Sequence, residues 1–191
     1  MLSKQQKWNQ RYAQAELSTP APAAWVLHQH ADLLPLQGKA LDIACGLGGN
    51  ARFLARCGLK TQAWDLSEVA VALLQKWARS QQLSKLSAEV HDIDAALLSE
   101  QSFDVITVSR FLDRSLFPAL VQALKPNGLL FYQTFLAPVQ ANAPSRAKLY
   151  VKSAELNQAF ATSLRCEVFG EGWLNEQGES QRFAWYIGRK V

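Results

Sequence analysis

The 191-residue sequence lacks the features that identify several large classes of proteins. No apolar run approaches the roughly 18 residues that a membrane-spanning helix needs, and the first residues contain no apolar signal core. The three cysteines, Cys45, Cys57 and Cys166, are odd in number and scattered, which fits neither a disulfide framework nor a zinc site. We therefore expect a cytoplasmic protein that makes no membrane contact and binds no metal.

Clustered charge is also scarce. The formal net charge is +4, but the 20 lysine and arginine residues are dispersed along the chain. A nucleic-acid footprint requires basic residues that cluster, so this spacing argues against a nucleic-acid partner. The histidines His28, His30 and His91 have no spacing with other ligands that would indicate a metal.

Alternating elements with short connections make up the rest of the chain. Five strands are predicted at about residues 39–44, 60–65, 86–91, 103–108 and 128–135. Helices are predicted between them near residues 49–57, 68–82, 95–100 and 115–124. Two further helices, at about 3–15 and 21–34, precede the first strand, and another covers 153–162. Two final extended runs, 167–174 and 182–190, flank the hairpin signal Asn175-Glu176-Gln177-Gly178.

This order predicts an α/β fold with a doubly wound, mostly parallel seven-stranded sheet and an antiparallel C-terminal edge hairpin. At this length we expect a single domain over residues 1–191, in which residues 1–37 cover a ligand site on a core formed by residues 38–191. The segment Lys125-Pro126-Asn127-Gly128 predicts a turn before the fifth strand, in which the proline fixes one dihedral angle and the glycine accepts a positive one.

The most informative segment is Leu41-Asp42-Ile43-Ala44-Cys45-Gly46-Leu47-Gly48-Gly49-Asn50, where an apolar strand enters a glycine-rich turn and a helix follows. Gly46 and Gly48 let the backbone turn sharply and approach a ligand, and the first amides of the helix point at the same place. This pattern predicts a site for a nucleotide-type cofactor.

Two classes of enzyme use such a loop. Gly46-x-Gly48-x-x-Ala51 satisfies the dinucleotide fingerprint, and Asp65 lies where an acidic ribose ligand is expected. However, about 38 residues precede the strand, whereas a dinucleotide strand usually opens its domain. Asp42 places a carboxylate beneath the loop, which suits an ammonium and not a pyrophosphate, and a second acidic strand end follows at His91-Asp92-Ile93-Asp94. These features favour a methyltransferase that uses S-adenosylmethionine over a nicotinamide enzyme.

Several short motifs agree with that interpretation. They are Trp8-x-x-Arg11-Tyr12, Leu41-Asp42-x-x-Cys45-Gly46-x-Gly48-x-Asn50, Trp64-Asp65, Arg110-Phe111-Leu112-Asp113-Arg114, Leu124-Lys125-Pro126-Asn127-Gly128, Glu155-Leu156 and Arg182-Phe183-Ala184. On these residues the chain, over nearly its full length, resembles class I S-adenosylmethionine-dependent methyltransferases, in particular the small bacterial group related to tellurite-resistance methyltransferases. Asn127 stands where that superfamily commonly has a glycine, and asparagine also tolerates a positive φ.

The resemblance implies roles for individual residues around S-adenosylmethionine and its product S-adenosylhomocysteine. Asp42 would orient the loop and hold the methionyl ammonium, and Asp65 would accept both ribose hydroxyls. Asp92 would accept the adenine amino group beside the Ile93 amide, with Asp94 as the rival for that role. The full expected cofactor set is Arg11, Tyr12, Asp42, Ala44, Gly46, Gly48, Asn50, Asp65, Leu66, Asp92, Ile93 and Ser109. Simpler alternatives remain open, because strand-end aspartates also cap their own turns, and Trp8 and Tyr12 could either close over the sulfonium or simply pack.

The acceptor is expected at the carboxyl end of the fourth strand, where ligands bind in such sheets. Arg110 and Arg114 could draw an anionic acceptor there, with Tyr150 as a third candidate contact. Alternatively, the two arginines form a salt-bridge pair with Asp113 that fixes a loop. The acid-free loop at about 136–151, which includes Arg146 and Lys148, is either a lid or a solvated loop.

The sequence leaves the catalytic residues open, because a thiolate or selenolate acceptor needs no general base whereas an oxygen or amine acceptor needs one. Cys45 is predicted to be a buried structural thiol. The chain has neither the Asn/Asp-Pro-Pro-aromatic run of enzymes that methylate amino groups nor the cysteine motifs of cytosine C5 methylation. We therefore expect methyl transfer to a small molecule such as a thiol, selenium or tellurium species, by a monomer or homodimer. The alternatives are methylation of RNA or protein, and a binding module without catalysis.

Overall fold

The computed structural model describes residues 2–15, 21–139, 147–176 and 178–191. Its centre is a seven-stranded sheet whose strands are β1 Lys39–Ile43, β2 Lys60–Asp65, β3 Leu86–Val90, β4 Phe103–Ser109, β5 Leu124–Phe135, β6 Leu164–Glu176 and β7 Glu179–Lys190. The spatial order is β3-β2-β1-β4-β5-β7-β6. The first five strands are parallel, and β7 runs antiparallel to both β5 and β6. The predicted architecture is confirmed.

Helices cover both faces of the sheet. They are α1 Lys4–Tyr12, α2 Trp25–Gln29, α3 Gly49–Arg56, α4 Glu68–Ser80, α5 Phe117–Ala123 and α6 Glu155–Phe160. Successive strand residues point to opposite faces, so Leu41 and Ile106 pack with α5 and α6, while Ala40 and Val105 pack with α2. No helix in the described part of the chain is long and apolar enough to cross a membrane.

Some predicted helices are shorter in the structure. The predicted helix at 21–34 is α2 followed by a single 3-10 turn at Ala31–Leu33, because Ala24 has extended backbone angles and His30 ends the helix. The one at 95–100 is only a 3-10 turn at Ala95–Leu97, capped by the preceding aspartate. The one at 153–162 begins only at Glu155, because Ala154 has a left-handed backbone with φ 60°.

The turn before the fifth strand differs from the prediction in its geometry. Strand β5 begins at Leu124 instead of about 128, so the turn is an irregularity inside the strand. Asn127 takes the positive φ of 63°, not Gly128. Gly128 is required for space, because a Cβ there would lie 2.9 Å from the Lys125 carbonyl oxygen and 3.1 Å from that of Phe103.

Candidate cofactor and acceptor site

The glycine loop joins β1 to α3 through three residues with left-handed backbones. Ala44, Gly46 and Gly48 have φ values of 53°, 52° and 76°. A Cβ on Gly48 would lie 2.5 Å from the Leu74 side chain in the core, whereas a Cβ on Gly46 would meet the Tyr12 hydroxyl at 2.7 Å. A side chain at Gly48 would therefore clash with α4, and a side chain at Gly46 would displace the Tyr12 hydroxyl of the N-terminal helix that lies over the loop.

Asp42 ties this loop to the sheet. Its side chain is buried, and its Oδ2 accepts a hydrogen bond from the Ala51 amide at 3.0 Å. Its Oδ1 accepts from Thr107 Oγ1 at 2.9 Å and from Asn50 Nδ2 at 3.2 Å. Burial raises the pKa of Asp42 to about 7, and the hydrogen bonds from Asn50 and Thr107 oppose that rise. The predicted orienting role fits this geometry, and the ammonium contact stays a prediction.

Asn50 connects three parts of the chain. Its Nδ2 donates to Asp42 and, at 3.1 Å, to Ser109 Oγ at the end of β4. Its Oδ1 accepts from the Ala24 amide at 2.8 Å, just before α2. Asp42, Asn50 and Ser109, three residues of the predicted cofactor set, therefore lie together beneath the loop.

Asp65, at the end of β2, faces the loop from the other side. Its Oδ2 accepts from the Gly46 amide and its Oδ1 from the Ser67 amide, both at 2.8 Å. Burial raises the pKa of Asp65, and the two amides oppose that rise. Each carboxylate oxygen accepts one amide hydrogen bond, which leaves each a second lone pair for a ligand hydroxyl.

Helix α1 lies across this edge of the sheet through polar contacts. Asn9 Oδ1 accepts from Ser67 Oγ at 2.8 Å, and Gln5 Nε2 donates to the Leu66 carbonyl at 3.2 Å. Tyr12 reaches Gly46, and burial followed by the Asp65 charge raises the pKa of Tyr12 to about 12. The phenol therefore stays neutral at physiological pH.

The aromatic pair Trp8 and Tyr12 is stacked with ring centroids 6.2 Å apart. The Arg11 guanidinium lies 5.4 Å from the Trp8 ring and is exposed. Tyr12 is thus the member of the N-terminal motif that reaches the glycine loop.

At the end of β3 the two candidate aspartates have different surroundings. Asp94 accepts from the Ala96 and Leu97 amides and so caps the following 3-10 turn. Asp92 is exposed and forms an ion pair with Lys4 of α1 at 3.1 Å, while Ile93 packs against the core. Asp94 is committed to its turn, which favours Asp92 for the adenine role that remains a prediction.

The arginines at the end of β4 do not pair with Asp113, so that alternative was wrong. Arg110 Nη2 donates to Glu176 Oε2 at 2.8 Å. Arg114 binds both oxygens of Glu155, through Nη2 at 3.0 Å and through Nε. Asp113 instead caps its own turn by accepting from the Ser115 amide. The reason is topological, because α6 and the β6–β7 hairpin bring glutamates to this edge from more distant parts of the chain.

Glu176 and Gln133 form a polar contact with α2 for which the sequence predicted no role. Glu176 Oε1 accepts from the Trp25 amide at 2.9 Å and from Gln133 Nε2 at 2.7 Å, and Gln133 Oε1 accepts from the Val26 amide at 2.9 Å. These side chains satisfy the free amides at the start of α2. A polar glutamine within the apolar run of β5 was a usable signal, whereas the hairpin signal that contains Glu176 does not indicate a contact with α2.

Tyr150 is buried against the Phe135 ring, with centroids 5.7 Å apart, and so it lies in the core behind the acceptor end. Arg114 donates to the carbonyls of Lys148 and Tyr150, which fixes this part of the predicted lid to the sheet. Arg146, the other predicted lid residue, lies outside the described residues. Burial raises the pKa of the Cys45 thiol well above its ordinary value, which makes it a poor nucleophile.

Comparison with known proteins identifies the family. The family model "Tellurite resistance protein TehB" matches residues 25–137. A probable S-adenosyl-L-methionine-dependent methyltransferase TehB of Haemophilus influenzae is 32% identical over 90 residues, which cover 46% of this chain and 31% of that protein. A ubiquinone biosynthesis O-methyltransferase of Albidiferax ferrireducens is 30% identical over 122 residues, 60% of this chain and 47% of that protein. The chain thus spans about a third to a half of the length of these relatives.

A solved structure shares the fold. The crystal structure of TehB from Haemophilus influenzae superposes with a TM-score of 0.78 at 19% identity and covers 96% of this chain and 67% of that one. The seven-stranded sheet with its antiparallel C-terminal hairpin is the class I methyltransferase fold. The chain belongs to the TehB family.

Proposed function

We propose that the chain is an S-adenosylmethionine-dependent methyltransferase that acts on a small molecule with a soft nucleophile, such as a thiol or a selenium or tellurium species. The observation that carries the cofactor part is the pair of buried carboxylates, Asp42 and Asp65, on either side of the glycine loop. Membership of the TehB family and the similarity to a probable S-adenosyl-L-methionine-dependent methyltransferase support the same cofactor.

The residues around the loop fit the parts of that cofactor. Asp65 offers two oxygens to a vicinal diol, and Asp42 places negative charge beneath the loop where a methionyl ammonium would lie. Tyr12 and α1 would cover the ligand and exclude water. S-adenosylmethionine, when bound, supplies a methyl group activated by a sulfonium. The chain's contribution is to hold the acceptor in line with that methyl, which could supply about 7–11 kcal/mol of the barrier.

The acceptor part rests on the state of the acid and base groups at this edge. Glu176 accepts hydrogen bonds from Arg110, Gln133 and the Trp25 amide, and Asp113 caps its own turn. Burial raises the pKa of Tyr12 to about 12, so the phenol stays protonated at neutral pH and cannot act as a general base there. A thiolate or selenolate needs no general base, whereas an oxygen or amine nucleophile does. The described residues therefore favour the soft nucleophile.

Two measurements test the proposal. Calorimetry should show S-adenosylhomocysteine binding in the micromolar range, about −7 to −8 kcal/mol, and no comparable binding of NAD. Tighter binding of NAD would overturn the cofactor assignment. Binding of S-adenosylhomocysteine without any methyl transfer would identify a binding module instead of an enzyme.

The acceptor is tested with labelled S-adenosylmethionine. The protein is incubated with thiols, selenite, tellurite and a catechol, and separately with a cell extract divided by size. We expect label in the thiol, selenium or tellurium products and in the small-molecule fraction. Label only in the catechol would favour oxygen methylation, as in the name of the Albidiferax relative. Label only in RNA or protein would favour a macromolecular acceptor.

A further inference from the structure

Arg110, at the carboxyl end of β4, forms an ion pair that neutralises its positive charge. Arg110 follows β4 directly with a φ of 53°, and its amide donates to the Gln133 carbonyl at 2.9 Å. Its guanidinium lies 5.6 Å from the Phe183 ring and 2.8 Å from Glu176 Oε2. The Arg110 side chain is 33% exposed, whereas that of Glu176 is only 12% exposed. The arginine is therefore the member of the pair that a ligand at this end of the sheet can reach more easily.

Glu176 is the fixed member of the pair. Its other oxygen is held by the Trp25 amide and by Gln133, which is itself fully buried and fixed by the Val26 amide. Three elements, α2, β5 and the end of β4, thus converge on one carboxylate. The Trp25 amide and Gln133 thus hold Glu176 through the oxygen that does not contact Arg110.

The hydrogen bond to Glu176 uses one of the donors of Arg110. A guanidinium has five N–H donors, and among the described residues the bond to Glu176 is the one side-chain hydrogen bond that Arg110 forms. An acceptor at this place would therefore meet several donors but no net positive charge.

We propose that Glu176 determines the charge of the acceptor: by neutralising Arg110 it makes the site select an uncharged or singly charged acceptor and reject one with further negative charges. The inference rests on the proposed methyltransferase function and names the acceptor class within it. Glu176 acts through Arg110 and is a positioning residue, not a catalytic one.

The test compares three thiols of increasing charge: 2-mercaptoethanol, mercaptoacetate and mercaptosuccinate. The quantity measured is the ratio of kcat/KM for mercaptosuccinate to that for 2-mercaptoethanol, in which effects on the cofactor cancel. Glu176→Gln should raise this ratio roughly tenfold, because one uncompensated charge then faces the acceptor. Arg110→Gln should lower it, because Glu176 is then left unpaired.

Two controls separate this effect from a general loss of structure. Glu167→Gln breaks an ion pair with Arg165 and Arg189 at the other end of the same strand and should leave the ratio unchanged. In the double variant Arg110→Gln, Glu176→Gln the ratio should return to that of the parent protein. An equal rise in Glu167→Gln, or a rise that persists in the double variant, overturns the proposal.

A binding measurement keeps the inference separate from the proposed activity. Each protein is saturated with S-adenosylhomocysteine and titrated with mercaptosuccinate and mercaptoacetate, and the Arg Nε–H resonances are followed by NMR. If the parent protein methylates none of the thiols, the proposed acceptor is wrong. Even then, the Glu176→Gln variant should bind mercaptosuccinate more tightly than the parent protein does. Equal affinities in the two proteins would refute the role of Glu176. If Glu176→Gln does not fold, Arg110→Gln must weaken mercaptosuccinate binding for the inference to stand.

Discussion

Asp42 and Asp65 lie on neighbouring strands on either side of one loop, and they are 1% and 7% exposed. Burial raises the pKa of both carboxyl groups. Their partners differ. Asp42 is bound by Thr107 of β4 and by Asn50 and Ala51 of α3, which are parts of the rigid core. Asp65 is bound by the Gly46 amide of the glycine loop and by the Ser67 amide before α4, next to the Tyr12 hydroxyl that lies over the glycine loop.

The two glycines of the loop also differ in what they pack against. Gly48 packs against Leu74 in the core, and Gly46 packs against the end of the Tyr12 side chain. One aspartate and one glycine therefore hold the loop to the fold, and the other aspartate and glycine face the space under α1. We expect changes to the first pair to act mainly on stability and changes to the second pair mainly on ligand affinity.

The largest effect is expected from Asp42→Ala. The change leaves two side-chain donors and one amide without an acceptor in the core, and each unsatisfied buried donor costs about 1–3 kcal/mol. We expect the free energy of unfolding to fall by about 3–5 kcal/mol. Urea unfolding measures this, with Asp65→Ala as the matched control. If both variants lose the same free energy of unfolding, the division between the two aspartates is wrong.

Asp65→Ala should act on the ligand. Two hydrogen bonds between ribose hydroxyls and a charged group are lost, which should weaken binding of S-adenosylhomocysteine by about 2–4 kcal/mol. Calorimetry at constant pH measures the change. Asp92→Ala, which removes an exposed carboxylate, is the control and should have a smaller effect. If Asp65→Ala binds S-adenosylhomocysteine as tightly as the parent protein does, Asp65 does not bind the ribose hydroxyls.

The part of the candidate site around Asp42, Asp65 and the two glycines could be predicted, because the sequence signals for it are local. Asp42, Gly46 and Gly48 lie within one short segment, and buried parallel strands have apolar runs that a sequence shows directly. Asp65 follows from the end of the next such run. For these residues, the order of the strands along the chain already places the side chains at a common edge.

The part around Glu176 and Gln133 depends on contacts between segments that are distant in the sequence. Glu176 meets the Trp25 amide across 151 positions, and Gln133 meets the Val26 amide across 107. Whether α2 lies over β5 is decided by packing of the whole N-terminal segment, which no local pattern encodes. For the same reason, the glutamates that pair with Arg110 and Arg114 were not predicted, and the nearby Asp113 was considered as their partner in one of two alternatives.

The two glycines provide a finer comparison. Gly48→Ala adds a methyl group 2.5 Å from the Leu74 side chain at a φ of 76°, so we expect a loss of about 2 kcal/mol in stability from overpacking and backbone strain. Gly46→Ala adds strain at a φ of 52° but displaces only the mobile end of Tyr12. It should therefore lose less stability and more affinity for S-adenosylhomocysteine. Thermal unfolding measures the loss of stability in both variants, and calorimetry measures the loss of affinity. A larger loss of stability in Gly46→Ala than in Gly48→Ala would contradict the proposed roles of the two glycines.

The smallest effect should appear in the pH dependence of stability. Burial raises the pKa of Asp42 from 3.8 to about 7, so the fold favours the protonated carboxyl group. The stabilisation from this group is complete below its unfolded pKa and is lost as the pH rises through about 7. Lowering the pH from 8 to 6 should therefore increase the free energy of unfolding by about 1 kcal/mol.

Urea unfolding at pH 8, 7 and 6 tests this, with Asp42→Asn as the variant that cannot titrate. Between pH 8 and pH 6, the free energy of unfolding should increase by about 1 kcal/mol more in the parent protein than in the variant. The contributions of all other titrating groups cancel in this difference, because they are the same in both proteins. Affinity for S-adenosylhomocysteine should change in the opposite direction, since a methionyl ammonium favours the ionised carboxylate. Equal pH slopes in the two proteins would show that Asp42 does not titrate in this range, and its ammonium contact would then have to be tested by affinity alone.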